Sequence, residues 1–208
     1  KLLVKKFNIN PKIISIVEPG IEKLKKYKKI STTKIRFLTC GSIIDRKKYD
    51  YLIREIQNID NIELNIVGDT SRETSYSIKI KKFIINKKLS KKIILHGKVT
   101  QSKLEKLYSQ SDFYISTSKY EGFGMALANA SISKLPIISF KTSTIQKTIG
   151  NSGVLYFENY YKNTLKDLII NNCFNYKKYS VLKKNIKAKN FLTNNQSAKY
   201  FIKAIKNA

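Results

Sequence analysis

The residues best placed to do chemistry lie in "TSKYEGFGMALANASISKLPIIS", 117–139. One carboxylate, Glu121, precedes two glycines, Gly122 and Gly124, in a loop between apolar segments. The chain carries 41 Lys and Arg against 14 Asp and Glu, so an acidic side chain at this spot calls for a reason. A helix starting near Phe123 or Gly124 would aim its first N–H groups, which lack intrahelical acceptors, back at the loop. Glycine lets the backbone of Gly122, Phe123, Gly124 and Met125 come close to an anion such as a phosphate. Asn129 follows Glu121 by two helical turns, ~12 Å along the axis and on much the same side. Two polar side chains flanking such a helix start suit a ligand with both phosphates and hydroxyls, such as a nucleotide-linked sugar. The competing reading is an ordinary strand–turn–helix with an exposed Glu.

A second loop, in "GSIIDRKKYDYLI", holds Gly41, Ser42 and Lys47. Lys47, near the start of the next helix, can bring a point charge to the same phosphates. Arg46 and Lys48 flank it, and the alternative is a solvated lysine in a basic run.

The elements that must position these residues follow from short β-branched runs alternating with amphipathic stretches. Strands are expected at 35–41, 62–68, 91–97, 112–118, 135–140 and 153–157, with a helix after each. Their hydrophobicity is continuous rather than alternating, which means both faces are covered. Strand–helix alternation at this spacing predicts an α/β fold, a doubly wound, Rossmann-like parallel sheet. Ligands of such sheets bind beyond the carboxyl ends of the strands. The relevant loops therefore read "GSIIDRKK", "GDTSRET", "HGKVT" and "TSKYEGFG".

The chain has 208 residues, 42% of them hydrophobic, enough for one domain with a substantial core. No apolar run approaches the ~20 residues needed to span a bilayer. No Cys/His spacing resembles a metal site. Cys40, in an apolar run, is expected to be a buried small hydrophobe, and His96, at the end of a strand, a structural histidine. The net charge of +27 raises the question of nucleic acid. But the lysines are scattered along every segment among many Ile, Asn and Tyr, the residues of A/T-rich codons. A nucleic-acid role is therefore not expected, whereas attraction to anionic lipid or phosphate-bearing ligands is. The opening "KLLVKKFNINPKIISIVEPGIE" reads as the middle of a longer protein. The expected division is a lead-in segment at 1–22, a nucleotide-sugar-binding domain at 23–192 and a C-terminal helix at 193–208.

In this order, "IISIVEPGIE", "FLTCGSIIDRKKYDYLI", "LNIVGDT", "IILHGKVTQSKLEKLYSQSDFYISTSKYEGFG" and "ALANASISKLPIIS" resemble the retaining family-four glycosyltransferases of the GT-B fold, also called group 1 glycosyl transferases. The resemblance spans nearly the whole chain and points to their C-terminal, donor-binding domain. "YEGFG" is its specific part. It implies a two-domain enzyme that moves a sugar from a nucleotide diphosphate donor to a glycan or lipid-linked acceptor with retention, without metal or a separate cofactor. Partners implied are the nucleotide sugar, the acceptor, an N-terminal domain of the same protein and peripheral membrane contact. The implied place is the cytoplasm, at times against the inner face of the membrane.

By the same resemblance Glu121 lies beside the donor sugar as the catalytic residue. Gly41, Ser42 and Lys47 belong to the diphosphate loop, and Gly97, Lys98 and Val99 meet the base. The backbone of Gly122, Phe123, Gly124 and Met125 meets sugar and phosphates, and Asn129 meets the ribose. Four positions depart from the family pattern. Ser42 replaces the arginine of the diphosphate pair, and Asn129 replaces a second Glu. Lys134 stands where Gly is usual and Gln146 where an acidic residue is common. The departures at 42 and 129 keep open a degenerate relative that binds a nucleotide or glycan without catalysis. A basic nucleic-acid module is the remaining alternative.

Overall fold

The structure is a computed structural model and describes residues 7, 8, 10–187 and 189–206. These fall into two compact units, residues 23–189 and the described residues of 1–22 and 190–208.

The larger unit is built on six strands, β1 (Ile35–Cys40), β2 (Ile62–Val67), β3 (Ile93–Gly97), β4 (Phe113–Ser116), β5 (Ile137–Phe140) and β6 (Val154–Phe157). All neighbours pair in parallel, in the order β3-β2-β1-β4-β5-β6. Between them run α1 (Tyr49–Ile56), α2 (Thr74–Asn86), α3 (Gln101–Gln110), α4 (Met125–Ile132) and α5 (Ser143–Ile149). After β6 come α6 (Thr164–Cys173) and α7 (Tyr176–Lys184). Each expected strand is present, shortened by a residue or two at its ends.

The strands are apolar on both faces because helices cover both. On one face Phe37, Leu64, Ile66, Phe113 and Ile115 pack with Leu52 and Ile53 of α1, Ile80 of α2 and Leu165 of α6. On the other, Leu38, Tyr114 and Ile137 pack with Tyr108 of α3, Leu127 and Ala130 of α4 and Ile145 of α5. The small residues of α4 let it lie close to the sheet: Ala128 and Ala130 are fully buried. Thr100, Thr142 and Asn175 cap α3, α5 and α7 with side-chain oxygens. Helix α6 is capped from a distance, because buried Glu55 of α1 accepts from the N–H groups of Asn163, Leu165 and Lys166 at 2.9–3.1 Å.

The strand order reverses direction at β1, which has β2 on one side and β4 on the other. In open α/β sheets the crevice at such a point is where ligands bind. The loops leaving β1 and β4 meet there.

In the smaller unit the main elements are a 3₁₀ turn at Pro11–Ile13 and helix α8 (Asn194–Lys206). Glu22 accepts from the Asn194 N–H at 2.8 Å, and the Ser197 hydroxyl donates to the Glu18 carbonyl at 2.7 Å. The Ile21 N–H donates to the Leu192 carbonyl at 2.7 Å.

Candidate functional site

After β1 the chain passes Gly41 and Ser42, makes a 3₁₀ turn at Asp45–Lys47 and enters α1 through Lys48 in the left-handed region (φ 52°). That turn swings the Lys47 side chain back over Gly41. A Cβ at Gly41, whose φ is 150°, would lie 2.6 Å from Lys47 Cε and 2.8 Å from its Nζ, so only glycine leaves the lysine room. After β4 the chain runs through Thr117–Gly124 and enters α4 at Met125, a little later than expected from the sequence.

Hydrogen bonds zip the two loops together. The Thr117 hydroxyl lies 2.8 Å from the Lys47 carbonyl and 3.2 Å from that of Lys48. The Lys119 N–H donates to the Arg46 carbonyl at 2.9 Å. The Thr117 carbonyl in turn accepts from the Tyr160 hydroxyl at 3.0 Å. Tyr160 is itself held in an aromatic group with Tyr51, Phe140 and Phe157.

The zip brings Glu121 against the first loop. Lys47 Nζ donates to Glu121 Oε1 at 2.6 Å, and Arg46 Nη1 stands 3.6 Å from Oε2. Arg46 also donates to the Tyr120 carbonyl and lies over the Tyr120 ring, 5.8 Å from its centroid. Glu121 is 8% exposed. Burial pushes its carboxyl up, but Lys47, a hydrogen bond from Ser118 and Arg46 outweigh burial and hold it below the usual carboxylate range. The carboxylate is therefore charged at neutral pH, and its charge is met by cations rather than by water.

Beside this pair is a cavity of about 410 Å³. Its polar lining is Lys47, Glu121 and Asn129, with the start of α4 from Phe123 to Leu127; Cys40, Leu104, Tyr108 and Tyr114 supply the rest with Gly41. Gly124 caps α4 in the left-handed region (φ 89°) and, as glycine, brings no side chain to accept from the first turn. The N-terminal N–H groups and the positive end of the helix dipole are thus available to an anion. Tyr108 and Tyr114 stack in parallel, and their hydroxyls bond the Ala126 carbonyl and the Cys40 backbone. Cys40 is half-buried at this wall rather than fully enclosed, and burial pushes its thiol up to about 12.

Of the residues singled out in the sequence, Gly41, Lys47, Glu121, Phe123, Gly124, Met125 and Asn129 line this one cavity. Ser42, Gly97, Lys98, Val99 and Gly122 do not. Ser42 and Gly122 belong to the two loops that form the site, while Gly97 ends β3 and accepts from the Gly68 N–H at 2.9 Å, and Lys98 in the loop after it pairs with Asp69 at 3.1 Å. Hydrogen bonds from Ser71, then Lys98, hold the Asp69 carboxyl down at about 2. His96 Nε2 donates to Asn65 Oδ1 at 2.7 Å, a structural contact outside the cavity. Arg46, Thr117, Ser118 and Tyr120 were not singled out from the sequence. In sequence Arg46 is one more cation in a basic run, and its contacts with Tyr120 and Glu121 of the other loop are visible only in the structure.

A larger cavity of about 580 Å³ lies along α3 against β1 and β2. Its Arg36 already donates to Gln110 and Ile30, and it meets the loops at the carboxyl ends only at Thr100, the cap of α3. The cavity at Lys47 and Glu121 is the candidate site.

The pattern of the family described as "Glycosyl transferases group 1" matches residues 20–189. The chain belongs to the group 1 glycosyltransferases. A curated relative of this group 1 chain is the "UDP-N-acetylglucosamine--peptide N-acetylglucosaminyltransferase GtfA subunit" of Streptococcus agalactiae, 28% identical over 134 residues, or 64% of this chain and 26% of the relative. Among solved structures, a glycosyltransferase from Rickettsia africae superposes with a TM-score of 0.76 at 19% identity, covering 99% of this chain and 60% of the other. The C-terminal domain of a glycosyl transferase group 1 family protein from Francisella tularensis superposes with a TM-score of 0.65 at 18% identity, covering 73% and 81%. The fold is that of the C-terminal domain of a GT-B glycosyltransferase. This group 1 chain spans well under two thirds of the length of its curated relatives.

Proposed function

We propose that the chain is the donor-binding half of a retaining glycosyltransferase, which takes a sugar from a nucleotide diphosphate sugar and passes it to a glycan or lipid-linked acceptor. The observation that carries this is the charged Lys47–Glu121 pair beside the start of α4, at the wall of one cavity. A sugar nucleotide needs both signs of charge within reach. Lys47 and the α4 N-terminus suit the diphosphate, which becomes the leaving group. Glu121 suits the sugar hydroxyls and the positive charge that develops at the anomeric carbon. Catalysis on this reading is positioning plus electrostatic stabilisation of charge separation. Asn129, on the same wall, holds the ribose, as acceptor to one hydroxyl and donor to the other. Gly97, Lys98 and Val99 meet the base, and the donor is a substrate, with no separate cofactor.

The acceptor site belongs to an N-terminal domain, so the present chain binds donor without transferring sugar. The working place is the cytoplasm, at anionic membrane surfaces. Supporting this, no helix among the described residues is long and apolar enough to cross a membrane, while α7 carries Lys177, Lys178, Lys183 and Lys184 with Tyr176 and Val181 exposed.

A thermal-shift screen across sugar nucleotides tests the reading. A donor at about 100 times its Kd adds about 2.7 kcal/mol of stability. Stabilisation by one nucleotide sugar above its bare nucleoside is the expected result; no shift with any of them refutes donor binding. The second reading, a degenerate relative that binds without catalysis, is favoured by Ser42 and Asn129. It predicts binding of nucleotide with no preference for the attached sugar.

A further inference from the structure

Arg46 has no part in the reading above, yet its placement is the more specific of the two cations. Its guanidinium is tied to the opposite loop three ways: to the Tyr120 carbonyl, over the Tyr120 ring, and 3.6 Å from Glu121 Oε2. The side chain remains 39% exposed beside the carboxylate, outside the residues that line the cavity, so it keeps N–H groups to offer an incoming anion. Lys47 approaches the same carboxylate on Oε1 and is the one cation among the described residues that line the cavity. Each oxygen of one buried carboxylate thus faces its own cation. An oxyanion between two cations is also the arrangement that a phosphate requires. Ser42, by contrast, brings no charge to the loop.

We propose that Arg46 and Lys47 together form a two-cation seat for the diphosphate of the donor, and that the Glu121 carboxylate holds this seat until the diphosphate displaces it. The proposal rests on the donor-binding reading. It makes Arg46 a binding residue and Glu121 a competitor of the diphosphate as well as a partner of the sugar. Displacement follows from charge. A carboxylate left against an incoming diphosphate would face like charge in a half-closed site, whereas turned toward the sugar it meets hydroxyl donors. The exchange couples the two halves of the donor, since the diphosphate must arrive before the carboxylate is released to the sugar.

The test is calorimetric titration of the 208-residue chain and four variants with inorganic pyrophosphate, UDP and uridine. Pyrophosphate reads the seat independently of base and sugar. Arg46→Gln is expected to weaken pyrophosphate and UDP about tenfold, the order of one charged hydrogen bond, and to leave uridine unchanged. Arg46→Lys, which keeps the charge, is expected to recover part of that loss and controls for folding. Glu121→Gln is expected to tighten pyrophosphate and UDP several-fold, because the competing charge is gone. A crystal structure with pyrophosphate is expected to show Lys47 and Arg46 on phosphate oxygens and the carboxylate turned away from both. Pyrophosphate affinity unchanged in Arg46→Gln, or reduced in Glu121→Gln, overturns the seat. If Lys47→Ala alone loses pyrophosphate while the other two match the parent, the seat fails and the donor-binding reading stands. If the parent binds neither pyrophosphate nor UDP, both fall.

Discussion

Glu121 shows how a carboxylate can be kept charged inside a strongly basic chain. Burial alone would raise its pKa, and Lys47, Ser118 and Arg46 reverse that. Since its folded pKa lies below its unfolded one, the pair stabilises the fold above the unfolded value, and this is lost as pH falls through the folded value. Glu121→Gln should therefore cost about 1.5–3 kcal/mol at pH 7, the worth of a charge-assisted hydrogen bond, and progressively less in acid. Urea melts of parent and variant at pH 7 and at steps descending well below the ordinary carboxylate value of about 4.3 check this; a gap that does not shrink at any of these steps would mean that charge is not the source. The carboxylate was legible in the sequence because acids are scarce and two glycines follow it. Arg46 was not, because in a chain so rich in cations one more carries no signal. Its place is fixed by the Tyr120 carbonyl and ring, which belong to a loop 74 residues away in sequence.

The strands and helices were legible from apolar runs and their spacing, since burial on two faces leaves a plain mark in composition. The contacts that join elements were not. Thr117 and Glu55 look like ordinary polar residues, and their work is to satisfy backbone groups far away in sequence. Thr117 is 1% exposed and spans the carbonyls of Lys47 and Lys48. Thr117→Val keeps the shape and removes the hydroxyl, so it should cost about 1–2 kcal/mol and weaken pyrophosphate binding by loosening the loop that aims Lys47. Glu55→Ala leaves three N–H groups at the start of α6 without their acceptor. It should cost about 2–3 kcal/mol while leaving pyrophosphate affinity intact, because α6 lines no part of the cavity. Urea denaturation and calorimetry on both variants separate the two roles. If Thr117→Val binds pyrophosphate like the parent, the loop zip does not position the lysine.

For the molecule as a whole, charge sets behaviour at surfaces. From residue 168 to the end no acidic residue occurs, and Tyr176 of α7 is 81% exposed beside Lys177 and Lys178. The chain should sediment with anionic vesicles at low salt and be released as salt rises, because attraction beyond about 8 Å is screened at physiological ionic strength. Equal sedimentation with neutral vesicles would remove the case for lipid charge. The sheet itself has a weak line. Strand β1 pairs with β2 along its whole length, Ile35 through Cys40, but with β4 only at Phe37↔Phe113 and Leu38↔Tyr114. The candidate site straddles that line, with Lys47 on one bank and Glu121 on the other. Breathing of the molecule should therefore begin between β1 and β4, and the amide of Asp112, which donates to the Arg36 carbonyl across that line, should trade its hydrogen for deuterium sooner than those of β2. A diphosphate bridging the two banks would act as a clasp and slow exchange there selectively. Uniform protection across β1, β2 and β4, or slowing spread evenly over the sheet, would show that the halves move as one body and that the clasp does not exist.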